Sequence, residues 1–587
     1  MAQKRILITS EAEETWPKQS DPVLFLAPYC QATMRKDYWQ QFDYEVVPYH
    51  WCDRAKLYQD HQYLTCLIDR LLEQLTPIFN ELHGVNQSCR FWRILLGPWL
   101  ISFVPAVFDR YCCVVGALAR DDIDKTIVHS IDNNTFVPLD FEQFLVFQEH
   151  ALWNEYLVRR LLELNGFDRF EYLSEDKSLN FERKPVTFSV GLKAKIKILI
   201  VNAAKILTPN KGYFIVSSYM NKPDYVKLQL SLGQLPLLYQ GELCQNVEFD
   251  ESFRQWHLPV PTTDTPFEQQ LKQLLVEQMP KAYLEGFKQL RKHSQQMGWP
   301  EQPKVIWTSN AHHRDDMFKL YVGEKVDVGV PFLIGQHGGH YGQGLYSMPE
   351  DHEMKVCDHY LSWGWKNNDK VIPVGILKKV KPQDRSIKRQ RAVLLLALAP
   401  AYAGTTLSIP IGPTVQDYID EQGTFYGLLQ KPIADKMTVR LYPHDFGWDQ
   451  TGYFTSRFPD VTIDNGNIDY YEMLASSKLA VVGWNATTYL ETMASGIPTV
   501  TFWDETYFEL HAQADEHFDL LRKVGIHHDT ATSAAEHVNN IWHDVDAWWD
   551  SAEVVAAREL FLAEYAARVD LPKRVSEVLR SVAKMTV

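Results

Sequence analysis

The segment LAVVGWNATTYLETMASGIPTVTF, Leu479–Phe502, decides the fold. It holds an apolar run ending at Gly483, a helical stretch from Thr487 to Ala494, and a second apolar run from Thr499 to Phe502. An apolar strand, a helix and a further apolar strand make the repeating unit of a parallel sheet covered on both faces. The alternation extends in both directions. Upstream lie the runs Val393–Ala399, Thr438–Tyr442 and Val461–Asp464, with helical patterns at Val415–Leu429 and Tyr470–Ser476. Downstream, Val538–Trp549 and Val554–Arg568 read as helices, anchored by Trp542, Trp548 and Trp549.

The N-terminal part has the same ingredients, more widely spaced. Ile6–Thr9, Val23–Ala27, Glu45–Pro48, Gly212–Ser218 and Tyr225–Leu230 read as strands. Leu57–Leu82, Phe91–Phe108, Leu145–Leu164 and Phe267–Met297 read as helices. Pro98 and Pro105 should kink or divide the second of these, and Pro280 the last. With 587 residues, the chain is too long for one core. The expectation is an α/β protein of the GT-B plan, with two Rossmann-like domains facing a cleft. Its parts are an N-terminal domain with helical insertions (1–380), a basic linker (381–392), a nucleotide-binding domain (393–545) and C-terminal helices (546–587).

Bulk composition excludes several classes. A net charge of −15 argues against nucleic acid as the partner. Mean hydropathy is −0.27 and no uninterrupted apolar run reaches spanning length, so no transmembrane helix is expected. The N-terminus turns acidic after Ile8 and does not read as a signal peptide. Eight cysteines without CxxC spacing suit reduced thiols and a cytoplasmic location. Two lysine-rich stretches, 366–391 and 193–207, read either as ordinary solvated surface or as places of peripheral contact with the inner membrane.

Chemistry concentrates between Pro303 and Trp365. The apolar runs Val305–Trp307 and Pro331–Ile334 each empty into ionisable residues: first Asn310, His312, His313, Arg314, Asp315 and Asp316, then Gln336, His337, Gly338, Gly339 and His340. Glu350, Asp351, His352 and Glu353 follow. Open α/β sheets place ligands at the carboxyl ends of their strands. Asp315 and Asp316 open a helix, where acidic residues also serve to stabilise the first turn. Glycines at 338 and 339 let a ligand approach the backbone, and His337 can move a proton or bind an anion. Neither HExxH nor H-x-H-x-D spacing occurs, so no metal or other cofactor is expected.

In the later domain, the helix start at Asn485, Thr487 and Thr488 offers backbone N–H groups and hydroxyls to a phosphate, and equally to ordinary N-capping. Glu491 lies one turn deeper, placed to hold a ribose or base. His444 ends a strand of the same sheet and reads either as a donor to a leaving phosphate or as a loop histidine.

These residues carry a resemblance. ILITSEAEETWP (Ile6–Pro17), PYHWCDRAKLY (Pro48–Tyr58), LLGPWL with FDRY, TSNAHHRDDMFK, IGQHGGHYGQGLY, EDHE, YLSWGW and IWHDVDAWWDS together resemble bacterial surface-polysaccharide (O-antigen) transferases found among genes for nonulosonic acids. More distantly, the chain is similar to the retaining β-Kdo glycosyltransferases, GT-B enzymes that use CMP-Kdo. That resemblance implies transfer of Kdo or a related ulosonic acid from a CMP-activated donor to a glycan or lipid-linked glycan, through a covalent aspartate adduct. By motif it assigns the nucleophile to Asp316, or failing that Asp315, and an assisting glutamate to Glu242. The assisting histidine is His337, His340 or His352. CMP would sit at Asn485, Thr487, Thr488 and Glu491 with His444 close by, and Gln336, Gly338, Gly339 and His352 would line the donor side. Two other readings remain open on the sequence: a GT-B enzyme using a UDP- or GDP-sugar, and a non-catalytic nucleotide- or glycan-binding protein.

Overall fold

The structure is a computed structural model that describes residues 3–31, 33–173, 211–236, 244, 246–402 and 407–585. Among the described residues the strand-to-strand pairings are parallel and form three sheets, while two isolated bridges, Gly344–Leu510 and Ser347–Leu407, are antiparallel. The first has strands β1 (Arg5–Ile8), β2 (Val23–Phe25), β3 (Tyr44–Val46), β4 (Ile123–His129) and β5 (Phe170–Leu173) in the order β3-β2-β1-β4-β5. The second has β6 (Tyr213–Val216), β7 (Val305–Thr308), β8 (Phe332–Gly335), β9 (His359–Ser362) and β10 (Val371–Pro373) in the order β10-β9-β8-β7-β6. The third comprises β11 (Arg391–Leu395), β12 (Met437–Arg440), β13 (Thr462–Asp464), β14 (Ser477–Val482), β15 (Thr499–Phe502) and β16 (His527–His528). Its order, β13-β12-β11-β14-β15-β16, is the doubly wound Rossmann order with its switch point between β11 and β14.

The α/β expectation therefore holds, with a difference in number: the stretch before the linker carries two parallel sheets where one was expected. The reason lies in helix Cys89–Leu118. By length and composition alone it passes for a membrane span. Yet 89% of its most apolar window is buried inside the protein. It packs against helix Asp316–Asp327 of the second sheet and helix Ala151–Leu164 of the first, so one apolar rod serves as a wall for both. Pro98 and Pro105 lie inside it and do not divide it.

Two further expectations change. Tyr225–Leu230 is not a strand but the body of helix Lys222–Ser231. Asn221 caps that helix by accepting from the Asp224 N–H, and Pro223 occupies its first turn. The stretch 267–297 is two helices, Pro266–Gln278 and Phe287–Gln296, parted at Pro280 as its proline implied. Residues 193–207 lie outside the described residues, so the reading of that lysine-rich stretch has no structural counterpart here.

The chain leaves the second sheet after β10, builds the third, and returns. Ala567 N–H donates to the Trp363 carbonyl at 2.9 Å, and Ile376 N–H donates to the Ala567 carbonyl at 3.0 Å. Gly364 has no room for a side chain, because an added Cβ would lie 2.4 Å from the Glu564 carbonyl oxygen. The last helix, Leu571–Met585, then covers helix Lys222–Ser231 and β7.

The second and third sheets meet along their carboxyl edges. Leu345 N–H donates to Glu509 O at 2.8 Å and His511 N–H to Gln343 O at 3.0 Å. The Tyr489 hydroxyl donates to Gln343 Oε1 at 2.6 Å. The first sheet also reaches this seam: Arg54 makes a two-pronged contact with Glu509, at 2.7 and 2.8 Å.

Candidate functional site

One wall of the seam grows from β7 and β8. Thr308 ends β7, and its hydroxyl accepts from Asn310 N–H (3.2 Å) and Ala311 N–H (2.9 Å), starting the short helix Ala311–Arg314. This turn carries His312 inward. His312 Nε2 lies 3.1 Å from Glu353 Oε1, and the Tyr341 hydroxyl donates to the same oxygen at 3.2 Å. His337, just past β8, has Nε2 3.1 Å from the Tyr341 hydroxyl and Nδ1 3.7 Å from Glu353 Oε1. Two imidazoles and a phenol thus converge on one buried carboxylate.

Of these only His337 opens to the cleft, with a quarter of its side chain exposed (25%) and its ring stacked 6.2 Å from Tyr219. Burial lowers its pKa, Glu353 opposes this, and His312 and Lys378 reinforce it. These effects favour the neutral imidazole, the form that can accept a proton.

The aspartate pair divides sharply. Asp316 is 3% exposed and its carboxylate is fully engaged. Tyr283 OH donates to Oδ1 at 2.8 Å, Lys319 Nζ lies 2.5 Å from Oδ1, and Phe141 N–H donates to Oδ2 at 3.2 Å. Burial pushes its pKa up, with Lys319 pulling the other way. Asp315 is partly exposed and caps helix Asp316–Asp327 by accepting from Phe318 N–H at 2.9 Å. Burial raises its pKa to about 6, with the neighbouring Asp316 adding to the effect.

Several predicted residues take supporting places instead. Gln336 is buried and braces the loop: its Oε1 accepts from Trp363 N–H and Trp365 Nε1, each at 2.9 Å, and its Nε2 donates to Gly338 O at 2.8 Å. His352 does not reach the cleft. It packs against Gly97 of the long apolar helix, so closely that a Cβ at Gly97 would lie 2.2 Å from the ring. His340 is buried in the left-handed region, at φ 73°, with its pKa lowered by burial to about 4. Glu242 lies outside the described residues.

The facing wall is the start of helix Thr487–Ala494. Ala486 stands at its N-cap without a side-chain bond to the first turn, so the N–H groups there are not capped from within. Asn485 is 1% exposed, and neither its amide oxygen nor its amide nitrogen has a partner. A buried unpartnered amide at an uncapped helix start is a place for an anion or a polar ligand. Thr487 Oγ1 accepts from Gly339 N–H at 2.9 Å, which joins the two walls. Glu491 accepts from the Tyr470 hydroxyl at 3.1 Å and lies 3.8 Å from Lys378 Nζ; burial raises its pKa, against Lys378. Tyr470 also interacts with the Thr488 side chain.

His444 sits apart from this group. Its side chain is 68% exposed, it packs on Phe446, and its Nε2 is 4.0 Å from Glu149. Glu149 and Glu142 belong to the first sheet's helical layer, and Glu142 Oε1 lies 3.4 Å from Arg314. Among the described residues no contact joins His444 to Thr487.

A run of contacts therefore crosses the seam, from His312 through Glu353, Tyr341 and His337 to Tyr219, Lys378, Glu491 and Tyr470. Tyr219, Tyr341, Lys378 and Tyr470 were not singled out from the sequence. Tyr219 offered one signal, its place just beyond a strand, where it adopts φ 60°. Among the described residues, none of the groups that could hold a cation includes His337, Glu353 or Asn485. Asp140, Cys244 and Asp316 form one, and there the cation in contact with Asp316 is Lys319.

The family model described as "LIC12162 family transferase" matches residues 5–577. No curated protein matches the chain. Among solved structures, the wall teichoic acid polymerase TagF is similar over 67% of this chain and 96% of its own, at 9% identity and a TM-score of 0.30. MurG of Acinetobacter baumannii is similar over 64% of this chain and 100% of its own, at 11% identity and a TM-score of 0.31.

Proposed function

The chain belongs to the LIC12162 family of transferases, and we propose that it is a glycosyltransferase that builds a cell-surface glycan from a CMP-activated ulosonic acid donor. One observation carries the reading. An uncapped helix start with the unpartnered Asn485 faces an imidazole–carboxylate set across a seam closed by the Gly339–Thr487 bond. A nucleotide phosphate fits the first wall, and proton transfer fits the second.

In this mechanism the bond between the anomeric carbon and the phosphate oxygen breaks, and its electron pair leaves with CMP. Helix N–H groups and Asn485 receive the growing charge. A carboxylate captures the oxocarbenium-like centre, and an acceptor hydroxyl then displaces it with retention of configuration. Asp315 takes the nucleophile's part, because Asp316 has its oxygens committed to Tyr283, Lys319 and Phe141. His337, backed by Glu353, removes the acceptor proton in the second step. A monophosphate leaving group held by amides needs no metal, so turnover should survive EDTA. The acceptor is a glycan or lipid-linked glycan, and the work is done at the cytoplasmic face of the inner membrane.

The test is intact-protein mass and CMP release after incubation with CMP-Kdo and other CMP-ulosonates. The expected result is donor consumption and an adduct lost in Asp315→Asn. If no CMP donor is consumed and UDP or GDP raises the melting temperature where CMP does not, the donor assignment is wrong.

A further inference from the structure

Lys378 lies in the short segment that carries the chain from the second sheet to the third. Its backbone is well anchored: Leu377 beside it is fully buried against Gly335, and Ile376 is tied to Ala567. The side chain therefore starts from a fixed point beside the seam. The ammonium lies 4.9 Å from the centroid of the Tyr219 ring, whose other neighbour is His337. It also lies 3.8 Å from Glu491 Oε1 on the facing wall. That separation is too long for a hydrogen bond. Among the described residues no acceptor lies within hydrogen-bonding distance of Nζ, and 26% of the side chain remains exposed. A cation held by an aromatic face and a distant carboxylate, with its N–H groups unspent, stands between the proton-transfer wall and the helix start.

We propose that Lys378 is the phosphate-binding cation of this cleft, donating to the nucleoside monophosphate phosphate and stabilising it as it departs. The inference rests on the glycosyltransferase reading and adds a residue and a ligand group to it. A lysine ammonium is a compact point charge suited to phosphate. As the glycosidic C–O bond breaks, the electron pair passes to the phosphate oxygen, and Lys378 keeps its proton while its hydrogen bond to that oxygen strengthens. This step needs no further reactant. The merely structural alternative is a weak ion pair to Glu491 that tethers the crossing.

The experiment compares CMP with cytidine, which lacks the phosphate, by calorimetric titration of the full chain and its variants. Lys378→Ala should weaken CMP by about 10- to 100-fold, as expected for loss of a hydrogen bond to a charged group, and leave cytidine unchanged. Lys378→Arg should recover most of the affinity, and turnover of Lys378→Ala should fall in kcat as well as rise in KM. If Lys378→Ala does not fold, Lys378→Gln carries the same comparison. Equal loss of CMP and cytidine, or no loss of either, overturns the inference and leaves the donor reading standing. If the wild type prefers UMP or GMP and Lys378→Ala weakens that nucleotide, the inference stands and the CMP assignment fails. If the wild type binds no nucleotide, both fail.

Discussion

Gly339→Ala is the sharpest probe of the seam, because its neighbour Gly338 supplies the control. A Cβ on Gly339 would lie 2.2 Å from the Ala486 carbonyl oxygen, 2.3 Å from its carbon and 2.7 Å from Thr487 N. All three are backbone atoms and cannot swing aside, so one wall must retreat by about 1 Å to reach normal van der Waals separation. The Gly339 N–H bond to Thr487 Oγ1, 2.9 Å long, stretches with it. At Gly338 the same addition meets only Thr487 Oγ1 at 3.5 Å and Tyr341 Cε2 at 3.8 Å, ordinary contacts. Overpacking in a sealed core costs about 1–3 kcal/mol, but a seam between two sheets can open, so stability should fall little. A misplacement of about 1 Å can cost on the order of 100-fold in rate. The assay is donor consumption beside a thermal melt. Gly339→Ala should lose about two orders of magnitude in turnover with a small change in melting temperature, while Gly338→Ala stays near wild type. Indistinguishable alanine variants would refute the claim that these two backbones meet at the working site.

Other expectations concern charge. Asp316→Asn strips the fully buried Lys319 of its counter-ion and should destabilise by about 3–5 kcal/mol in urea unfolding; a fully stable variant would remove Asp316 from its structural role. Asp315 has a pKa raised to about 6, chiefly by burial, so a reaction needing its carboxylate should gain kcat/KM as pH rises through about 6, and Asp315→Asn should lose that limb. Burial raises Glu350 to about 8 while it accepts the Gly342 N–H. The folded protein thus holds a proton that the unfolded chain releases at a lower pH. That contribution to stability is complete below the unfolded pKa and is lost as pH rises through about 8. Melts from pH 5 to 9 should show the wild type falling relative to Glu350→Gln, at no more than about 1.4 kcal/mol per pH unit.

The strands at 305, 332, 393, 479 and 499 were readable because buried parallel strands are continuous apolar runs, and such runs survive in any local window. The division of the N-terminal part was not. β1 pairs with β4 across two long helices, and nothing local announces a pairing that distant. Tyr225–Leu230 shows a limit of periodicity itself, since its burial of Tyr225, Leu228 and Gln229 follows helical spacing that its alternating apolar letters disguise. In the candidate site, the positions of His337 and Gly339 past a strand and of Thr487 at a helix start were legible. Asp315 and Asp316 were inseparable, because a capping residue and the residue after it look alike until burial parts them. His352 could have been set aside. Met348, His352 and Val356 fall on one helical face, and that face is turned to the long apolar helix. Glu353 and Tyr341 matter only through what they touch, and Lys378 was hidden in a run of like charges.

The return of the chain at Ala567 has a mechanical meaning. The outgoing chain at Ile376 and the returning chain at Ala567 are a single hydrogen bond apart, so the third sheet is built from one continuous stretch that leaves the second sheet and rejoins it at one spot. With both ends held together, a rotation about that spot would strain the chain less than a translation of the whole sheet. A small rotation there would be magnified beyond the end of β14, at the helix start where Thr487 bears on Gly339.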